Sequence, residues 1–146
     1  MFDDLLRANE RYAADFTLAG VPARAARRLA LVTCMDVRIE PLAVLGLAPG
    51  DANILRNAGG RVTTDVLRSL ILATNLLGVR HIAVMHHTNC ALAARSNGDI
   101  RSELPGGPGG DAAEWDFLTM PEPDESLAAD VAAVRSCPLL RKLVCD

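Results

Sequence analysis

Two short motifs combine cysteine with histidine or with charged residues, and each follows a run of apolar residues. The first motif is Cys34-Met35-Asp36-Val37-Arg38, directly after Leu29-Ala30-Leu31-Val32-Thr33. The second is His87-Thr88-Asn89-Cys90, directly after His81-Ile82-Ala83-Val84-Met85-His86. Short apolar runs of this kind are typical of buried strands. In a parallel sheet the carboxyl ends of the strands lie at one edge, where open α/β sheets bind ligands, so the sequence predicts that the two motifs meet there.

Cys34, His87 and Cys90 are therefore the candidate metal ligands. Two thiolates and one imidazole are a donor set that zinc prefers, and they leave a fourth tetrahedral position for water, as catalytic zinc sites do. Neither motif justifies this interpretation alone, because a cysteine that ends a strand is usually a small buried apolar residue and His-x-x-Cys is a common spacing. Together they predict one catalytic zinc ion per chain.

Asp36 and Arg38 are the candidate catalytic residues beside the first cysteine. If the extended chain continues past Cys34, alternation places residues 34, 36 and 38 on one side. An arginine can hold a carboxylate through two parallel hydrogen bonds, which keeps the carboxylate ionised and oriented. Asp36 could then accept a hydrogen bond from water on the metal. The alternative is a surface ion pair of small energetic value.

The combination of motifs resembles the β-class carbonic anhydrases. Their pattern is Cys-x-Asp-x-Arg, then Arg-Asn-Ala-Gly, then His-His-Thr-Asp/Asn-Cys-Gly. Here the first motif is followed by Arg56-Asn57-Ala58-Gly59 and by His86-His87-Thr88-Asn89-Cys90-Ala91. The match covers residues 29–92 and looks closest to the short bacterial and actinobacterial members. The resemblance implies that the Asp-Arg pair orients the water on zinc, and in some members of the family the aspartate moves onto zinc instead.

For function, the resemblance implies reversible hydration of carbon dioxide to bicarbonate. A hydrolase of carbonyl sulfide or carbon disulfide uses the same ligands on the same fold, so that alternative stays open. A third alternative is a degenerate zinc-binding paralogue that serves as a structural or partner subunit. Two departures from the family pattern favour this third alternative. Ala91 replaces the usual glycine. Family members also continue past a segment like Ser136–Leu140 into a further strand, and here only Lys142–Cys145 could form it.

The rest of the sequence indicates the elements that position these motifs. We expect one zinc-binding α/β domain, residues 1–146, with a parallel-centred sheet of about four strands flanked by helices. The predicted strands are Leu29–Thr33, Ala52–Arg56 and His81–His86. The predicted helices are an amphipathic one over 1–20, Pro41–Leu47, one from Thr63 or Thr64 to a stop at Gly78, and Asp124–Val134. Residues 104–111 are predicted to be a flexible loop. In the family the first helix lies across a neighbouring subunit, so the resemblance implies a homodimer or a higher oligomer.

The composition of the chain limits which binding partners and which cellular location we expect. With a net charge of −3, 3% aromatic residues and no block of basic residues, nothing favours a nucleic-acid surface. No apolar run reaches the roughly 18 residues of a membrane span, and Asp3 and Asp4 lie where a secretory signal would carry lysines. We therefore expect a cytoplasmic protein that acts on a small molecule, with no nucleic-acid or membrane partner.

Other candidate residues receive a more modest interpretation. Cys137 and Cys145 are expected to be ordinary core or tail thiols, with a fourth zinc ligand as the alternative for either. His86 is expected to have a supporting or core role rather than to bind metal, because alternation turns it away from His87. Arg56 and Asn57 either border the metal pocket or form a simple turn.

Overall fold

The structure is a computed structural model, and it describes residues 2–140. Helices and strands alternate, which confirms the predicted α/β class. In chain order the elements are α1 (Phe2–Ala14), β1 (Leu29–Cys34), α2 (Pro41–Val44), β2 (Ala52–Asn57), α3 (Thr64–Asn75), β3 (His81–Met85), α4 (Asn97–Glu103) and α5 (Pro123–Ser136), with 3-10 turns at Ala58–Gly60 and Gly107–Gly109.

The strands form one parallel sheet in the order β2-β1-β3. Leu29 pairs with both Ala52 and His81, so the strands start level and end at the same edge. The described residues contain three strands rather than the predicted four or so. The chain between β3 and α5 folds into a helix and turns, and the other segment considered for a strand, Lys142–Cys145, lies outside the described residues.

β1 occupies the centre of the sheet because it is apolar on both faces. Every residue of β1 after Leu29 is buried, as the sequence Leu-Ala-Leu-Val-Thr-Cys requires of a strand covered on both sides. Thr33 is the one polar side chain inside this strand, and its hydroxyl donates a hydrogen bond to the Met85 carbonyl at 2.9 Å. The first motif therefore follows the most deeply buried strand of the sheet.

The main apolar core lies between α3, α5 and the face of β1 that carries Ala30 and Val32. Its other buried members are Val66, Leu70, Ala73, Val79, Val134 and Leu140. Burial of one valine or leucine side chain contributes about 1.5–3 kcal/mol. These contacts fix α3 and α5 against the sheet.

The predicted start of α3 at Thr63 or Thr64 is confirmed. Thr63 is the N-cap, and its hydroxyl accepts a hydrogen bond from the Val66 amide at 3.3 Å. Gly78 follows the helix with φ +75°, a conformation that glycine adopts without a steric penalty.

Two predicted helices end earlier in the structure. α1 ends at Ala14 rather than near Gly20, because Asp, Phe and Thr follow and each of these residue types is a weak helix former. α2 ends at Val44 rather than at Leu47, because Gly46 takes φ +64° and reverses the chain.

α4 is an element that sequence patterning does not indicate. It is short and has no buried residue, so no apolar stripe marks it. A capping box starts it: the Ser96 hydroxyl accepts from the Asp99 amide at 3.2 Å, and the Asp99 carboxylate accepts from the Ser96 amide at 2.8 Å. The adjoining segment 104–111, predicted to be a flexible loop, contains the turn Gly107–Gly109.

α1 has no buried residue, although one of its faces is strongly apolar. Phe2 is 73% exposed, Leu5 58%, Leu6 61% and Tyr12 61%. Among the described residues, no helix has the length and apolar character needed to cross a membrane.

Candidate metal centre

The carboxyl ends of β1 and β3 bring together the three predicted ligands. Cys34 is the last residue of β1, and His87 and Cys90 lie in the loop after β3. The ligand atoms of the three residues all lie within 4.8 Å of one another. Both cysteines are buried, with 5% and 3% exposure. The spatial convergence that the parallel sheet predicts is therefore present.

The loop from His87 to Cys90 owes its tight shape to Asn89. Asn89 has φ +58°, in the left-handed region that asparagine tolerates better than most residues. Its carbonyl accepts a hydrogen bond from Arg38 Nη2 at 3.3 Å. This contact links the loop after β3 to the first motif after β1.

The donor atoms suit a soft divalent cation. His87 Nε2 is buried and has no hydrogen-bond partner among the described residues. Burial raises the pKa of the Cys90 thiol, and the neighbouring Cys34 raises it further. Both effects disfavour the ionised form of Cys90 unless a cation compensates its charge. An imidazole nitrogen without a partner beside two such thiols fits zinc.

Asp36 and Arg38 form a two-pronged ion pair beside this group. Arg38 Nε donates to Asp36 Oδ1 at 2.9 Å and Nη2 donates to Oδ2 at 2.6 Å, while the Arg38 amide also donates to Oδ1 at 2.9 Å. The side-chain bonds from Arg38, followed by its amide, hold the pKa of Asp36 well below the usual range. Asp36 Oδ2 lies 3.9 Å from His87 Nε2. An ionised carboxylate thus faces the metal centre.

Arg56 fixes the backbone of the first motif. Its Nε donates to the Cys34 carbonyl at 3.0 Å and its Nη2 donates to the Asp36 carbonyl at 2.7 Å. The Met35 amide donates to the Asn57 carbonyl at 2.9 Å, so the pairing of β1 with β2 continues past the last strand residue. Arg56 thus contacts the backbone of the first motif, whereas Asn57 begins the turn Ala58–Gly60.

Gly60 allows the turn after β2 to lie directly against β1. Its φ is +69°, and a Cβ there would meet the Cys34 amide nitrogen at 2.9 Å and the Thr33 Cα at 3.0 Å. A larger residue would push the turn away from the first cysteine.

A pocket of about 380 Å³ opens over two of the ligands, Cys34 and Cys90, and over the ion pair of Asp36 with Arg38. Apart from the two cysteines, Asp36 and Arg38, its lining is apolar and consists of Met35, Val37, Ala58, Gly59, Ala91 and Leu92. Val37, at 97% exposure, and Met35, at 62%, stand at its rim. The pocket combines one ion pair with walls that favour a small uncharged molecule.

Comparison with known proteins identifies a family for this chain. The sequence model of the family described as "Carbonic anhydrase" matches residues 29–104, from β1 to just past α4. The chain belongs to the β-carbonic anhydrase family. A crystal structure of carbonic anhydrase from Streptococcus mutans superposes with a TM-score of 0.87 at 40% identity, covering 98% of this chain and 86% of that one.

Two curated relatives of similar identity to this chain are named for different enzymes. "Beta-carbonic anhydrase 1" of Mycobacterium bovis is 38% identical over 102 residues, which cover 70% of this chain and 62% of the relative. "Carbon disulfide hydrolase" of Saccharolobus solfataricus is 43% identical over 97 residues, which cover 66% of this chain and 46% of the relative. The chain therefore spans less than two thirds of the length of these relatives.

Behind the metal centre of this β-carbonic anhydrase family member lies a polar cluster that sequence reasoning missed. Asp130 of α5 accepts hydrogen bonds from Arg61 and from His86, and all three side chains are largely buried. Among the described residues His86 lies outside the group of metal-ligating side chains, and its ring nitrogen Nε2 is 3.0 Å from Asp130 Oδ2. The available signal was Asp130 itself, a carboxylate inside the alanine-rich apolar run of α5.

Met120 is a second residue that sequence reasoning missed. It is 1% exposed and shares an apolar cluster with Cys34 and Cys90. Its amide donates to the Leu92 carbonyl at 2.8 Å, which holds residues 118–120 beside the ligands. Cys137 instead packs against the main core, and Cys145 lies outside the described residues.

Proposed function

We propose that this chain is a carbonic anhydrase that hydrates carbon dioxide reversibly to bicarbonate, with one zinc ion held by Cys34, His87 and Cys90. The observation that carries the proposal is the convergence of these three ligand atoms within 4.8 Å, beside an aspartate that Arg38 keeps ionised. Zinc in such a site supplies a Lewis acid that makes water nucleophilic near neutral pH.

Asp36 is the residue we propose to orient the attacking water. Its Oδ2 lies 3.9 Å from His87 Nε2, so the carboxylate borders the position where the three ligands would hold the metal. Arg38 donates to Oδ1 twice, through Nε and its amide, and to Oδ2 once, which leaves a lone pair on Oδ2 free to accept a hydrogen bond from water. The ion pair also opposes protonation of Asp36, so the carboxylate remains an acceptor near neutral pH.

The apolar walls of the pocket suit the substrate more than the product. Carbon dioxide is uncharged and loses little hydration when it contacts Met35, Val37 and Leu92. Bicarbonate carries a charge that these side chains cannot solvate. The walls therefore favour entry of the gas and departure of the anion.

The proposal is tested by stopped-flow measurement of carbon dioxide hydration with a pH indicator, on purified protein whose zinc content is known. We expect turnover with one zinc per chain. Cys34→Ser, His87→Ala and Cys90→Ser should each lose the metal, since two remaining ligands hold zinc weakly. Cys137→Ser is the matched control, because this thiol packs in the main core, and it should retain zinc. Retention of one zinc in all three ligand variants would refute the ligand set.

A second candidate function is hydrolysis of carbon disulfide or carbonyl sulfide. It is favoured by the 43% identity to a relative named carbon disulfide hydrolase and by the apolar lining of the pocket. The two activities are separated by supplying carbon disulfide to the zinc-loaded protein and measuring hydrogen sulfide. Zinc binding without turnover of either substrate would support the third alternative, a non-enzymatic zinc protein.

We further propose that the chain, as a single zinc-binding domain, forms a homodimer or a higher oligomer through α1. The support is the exposed apolar face of α1, since a face with Phe2, Leu5 and Leu6 more than half exposed is costly to leave in water. Light scattering should give a mass above that of one chain, and Leu5→Glu should reduce it. A cytoplasmic location fits the free thiols of Cys34 and Cys90, which persist in reducing compartments.

A further inference from the structure

Asp130 is a buried carboxylate that accepts hydrogen bonds from three donors on two other parts of the chain. Its Oδ2 accepts from Arg61 Nε at 2.7 Å and from His86 Nε2 at 3.0 Å, and its Oδ1 accepts from the Val62 amide at 3.1 Å. The side chains of Asp130, Arg61 and His86 are 5%, 12% and 8% exposed. Charges so deeply buried persist only when they are paired and fully hydrogen-bonded.

The first connection runs from Asp130 to the histidine ligand. Because a carboxylate only accepts, His86 Nε2 must carry the proton that it donates, which fixes the tautomer and the orientation of the His86 ring. His86 immediately precedes His87. A fixed ring at position 86 restricts the backbone from which the His87 side chain extends into the metal centre.

The second connection runs through Arg61 to the two cysteines. Arg61 Nη1 donates to the Leu118 carbonyl at 2.6 Å. Leu118 has φ +54°, a left-handed conformation that is costly for a residue with a bulky side chain and that needs support from its surroundings. Two residues later Met120 packs against Cys34 and Cys90. Arg61 therefore stabilises the turn that places Met120 behind both thiols.

The third connection is the hydrogen bond from the Val62 amide. It ties Asp130 to the chain directly after the turn Ala58–Gly60, and Ala58 and Gly59 line the pocket over the ligands. One carboxylate on α5 thus contacts the chain next to the histidine ligand, next to the pocket turn and, through Arg61, next to the cysteines.

We infer that Asp130, acting through His86 and Arg61, is a positioning residue for the metal centre. The inference rests on the proposed role of Cys34, His87 and Cys90 as metal ligands. Asp130 does not touch the substrate or the metal. It fixes the backbone that carries the ligands, so that they are preorganised before metal binds.

Asp130→Asn tests this role with almost no change of shape. An asparagine offers one acceptor oxygen and one donor NH2 group, while donors approach both oxygens of Asp130. Whichever way the amide points, at least one N–H faces another donor. His86→Leu removes one donor, whereas His86→Gln keeps an N–H that can reach the carboxylate. Asp65→Asn is the matched control, because it breaks an Asp-Arg pair on the surface of α3.

The readout is metal binding rather than activity. Each variant is loaded with cobalt(II), its visible spectrum is recorded, and the rate of cobalt loss to a chelator is measured at a temperature where circular dichroism shows a native fold. We expect Asp130→Asn and His86→Leu to show an altered spectrum and about 10-fold faster loss, the lower end of the usual range for residues that support metal ligands. His86→Gln should lie closer to the parent protein, and Asp65→Asn should match it.

The opposite results overturn the inference. If Asp130→Asn and His86→Leu lower the melting temperature but keep the parent spectrum and release rate, the cluster only stabilises the fold. If Asp130→Asn does not fold, the pair His86→Leu and His86→Gln decides, and equal release from both refutes the connection through His86. If the parent protein takes up no cobalt, the proposed metal centre fails and this inference fails with it.

Discussion

Two aspartate-arginine pairs contact the segments that carry the predicted ligands, and they differ in how they arise. Asp36 and Arg38 are two residues apart in one loop, and their side chains are 17% and 59% exposed. Asp130 and Arg61 come from α5 and from the loop before α3, and their side chains are 5% and 12% exposed. Both pairs have a short N–H···O contact, at 2.6 and 2.7 Å. Local sequence makes the first pair, and the tertiary fold makes the second.

The difference in burial separates their effects on stability and on chemistry. An exposed pair contributes little to the free energy of unfolding because water solvates either partner left alone. A buried pair is expensive to break because the remaining charge has no solvent. We therefore expect the Asp36 pair to control rate and the Asp130 pair to control stability and the shape of the metal centre.

The largest expected effect is on stability, in Arg61→Met. Removing the guanidinium leaves the Asp130 carboxylate buried without its charged partner, which should lower the free energy of unfolding by about 3–5 kcal/mol. Urea titration of the zinc-free protein measures it. Arg68→Met is the control, since its pair with Asp65 is 65% and 76% exposed, and it should cost less than about 1 kcal/mol. Equal losses in the two variants would contradict the comparison.

The next effect is on rate, in Asp36→Asn. The amide keeps the shape but presents an N–H where the carboxylate accepted, so the water at the metal loses its orienting partner and the contact with Arg38 weakens. Carbon dioxide hydration should fall by about 10- to 100-fold. Zinc content should stay at one per chain, as metal analysis will show. An unchanged rate with normal zinc content would mean that the pair is only structural.

A smaller effect is expected at Asn89, whose carbonyl accepts from Arg38. Asn89→Ala places a residue without a helpful side chain at φ +58° and should cost about 1 kcal/mol of unfolding free energy. Asn89→Gly accepts the same φ freely and should be closer to the parent protein. Urea titration of the two variants, zinc-free, checks this. If alanine is tolerated as well as glycine, the left-handed turn does not constrain the second motif.

The smallest effect is a pH dependence of the stability that the exposed pair of Asp36 and Arg38 contributes. Since Arg38 lowers the pKa of Asp36 in the folded protein, the pair stabilises the fold above the unfolded pKa of about 3.9, and this stabilisation is lost as pH falls through the folded pKa. The stability difference between parent and Asp36→Asn, measured without zinc, should therefore be present at neutral pH and shrink below about pH 4. Hydrogen bonds from Ser96 lower the pKa of Asp99 in the same way, so Asp99→Asn should show the same direction. A difference that does not change with pH would contradict the assignment.

The parts of the fold that the sequence predicts are those with a strong local signal. Three such signals depend only on neighbouring residues: the apolar run of β1, the start of α3 at Thr63 and the spacing of the two motifs. They were enough to predict the parallel sheet and the convergence of Cys34 with His87. α4 was not predicted because a short exposed helix has no apolar stripe in its sequence. The contacts of Asp130 were not predicted because Arg61 is 69 residues away in sequence, and only the packing of α5 brings the two side chains together.

The order of the strands has a consequence for synthesis on the ribosome. β1 is made first, yet both of its neighbours in the sheet, β2 and β3, come later in the chain. β1 is the strand whose residues are least exposed in the folded protein. Until β3 has been synthesised, β1 has one edge without a hydrogen-bonded neighbour, and its apolar faces are not completely buried. Pairing between strands distant in sequence is slow, and an exposed apolar strand is prone to aggregate. A pause in translation before His81 should therefore increase aggregation of the nascent chain more than a pause after Cys90.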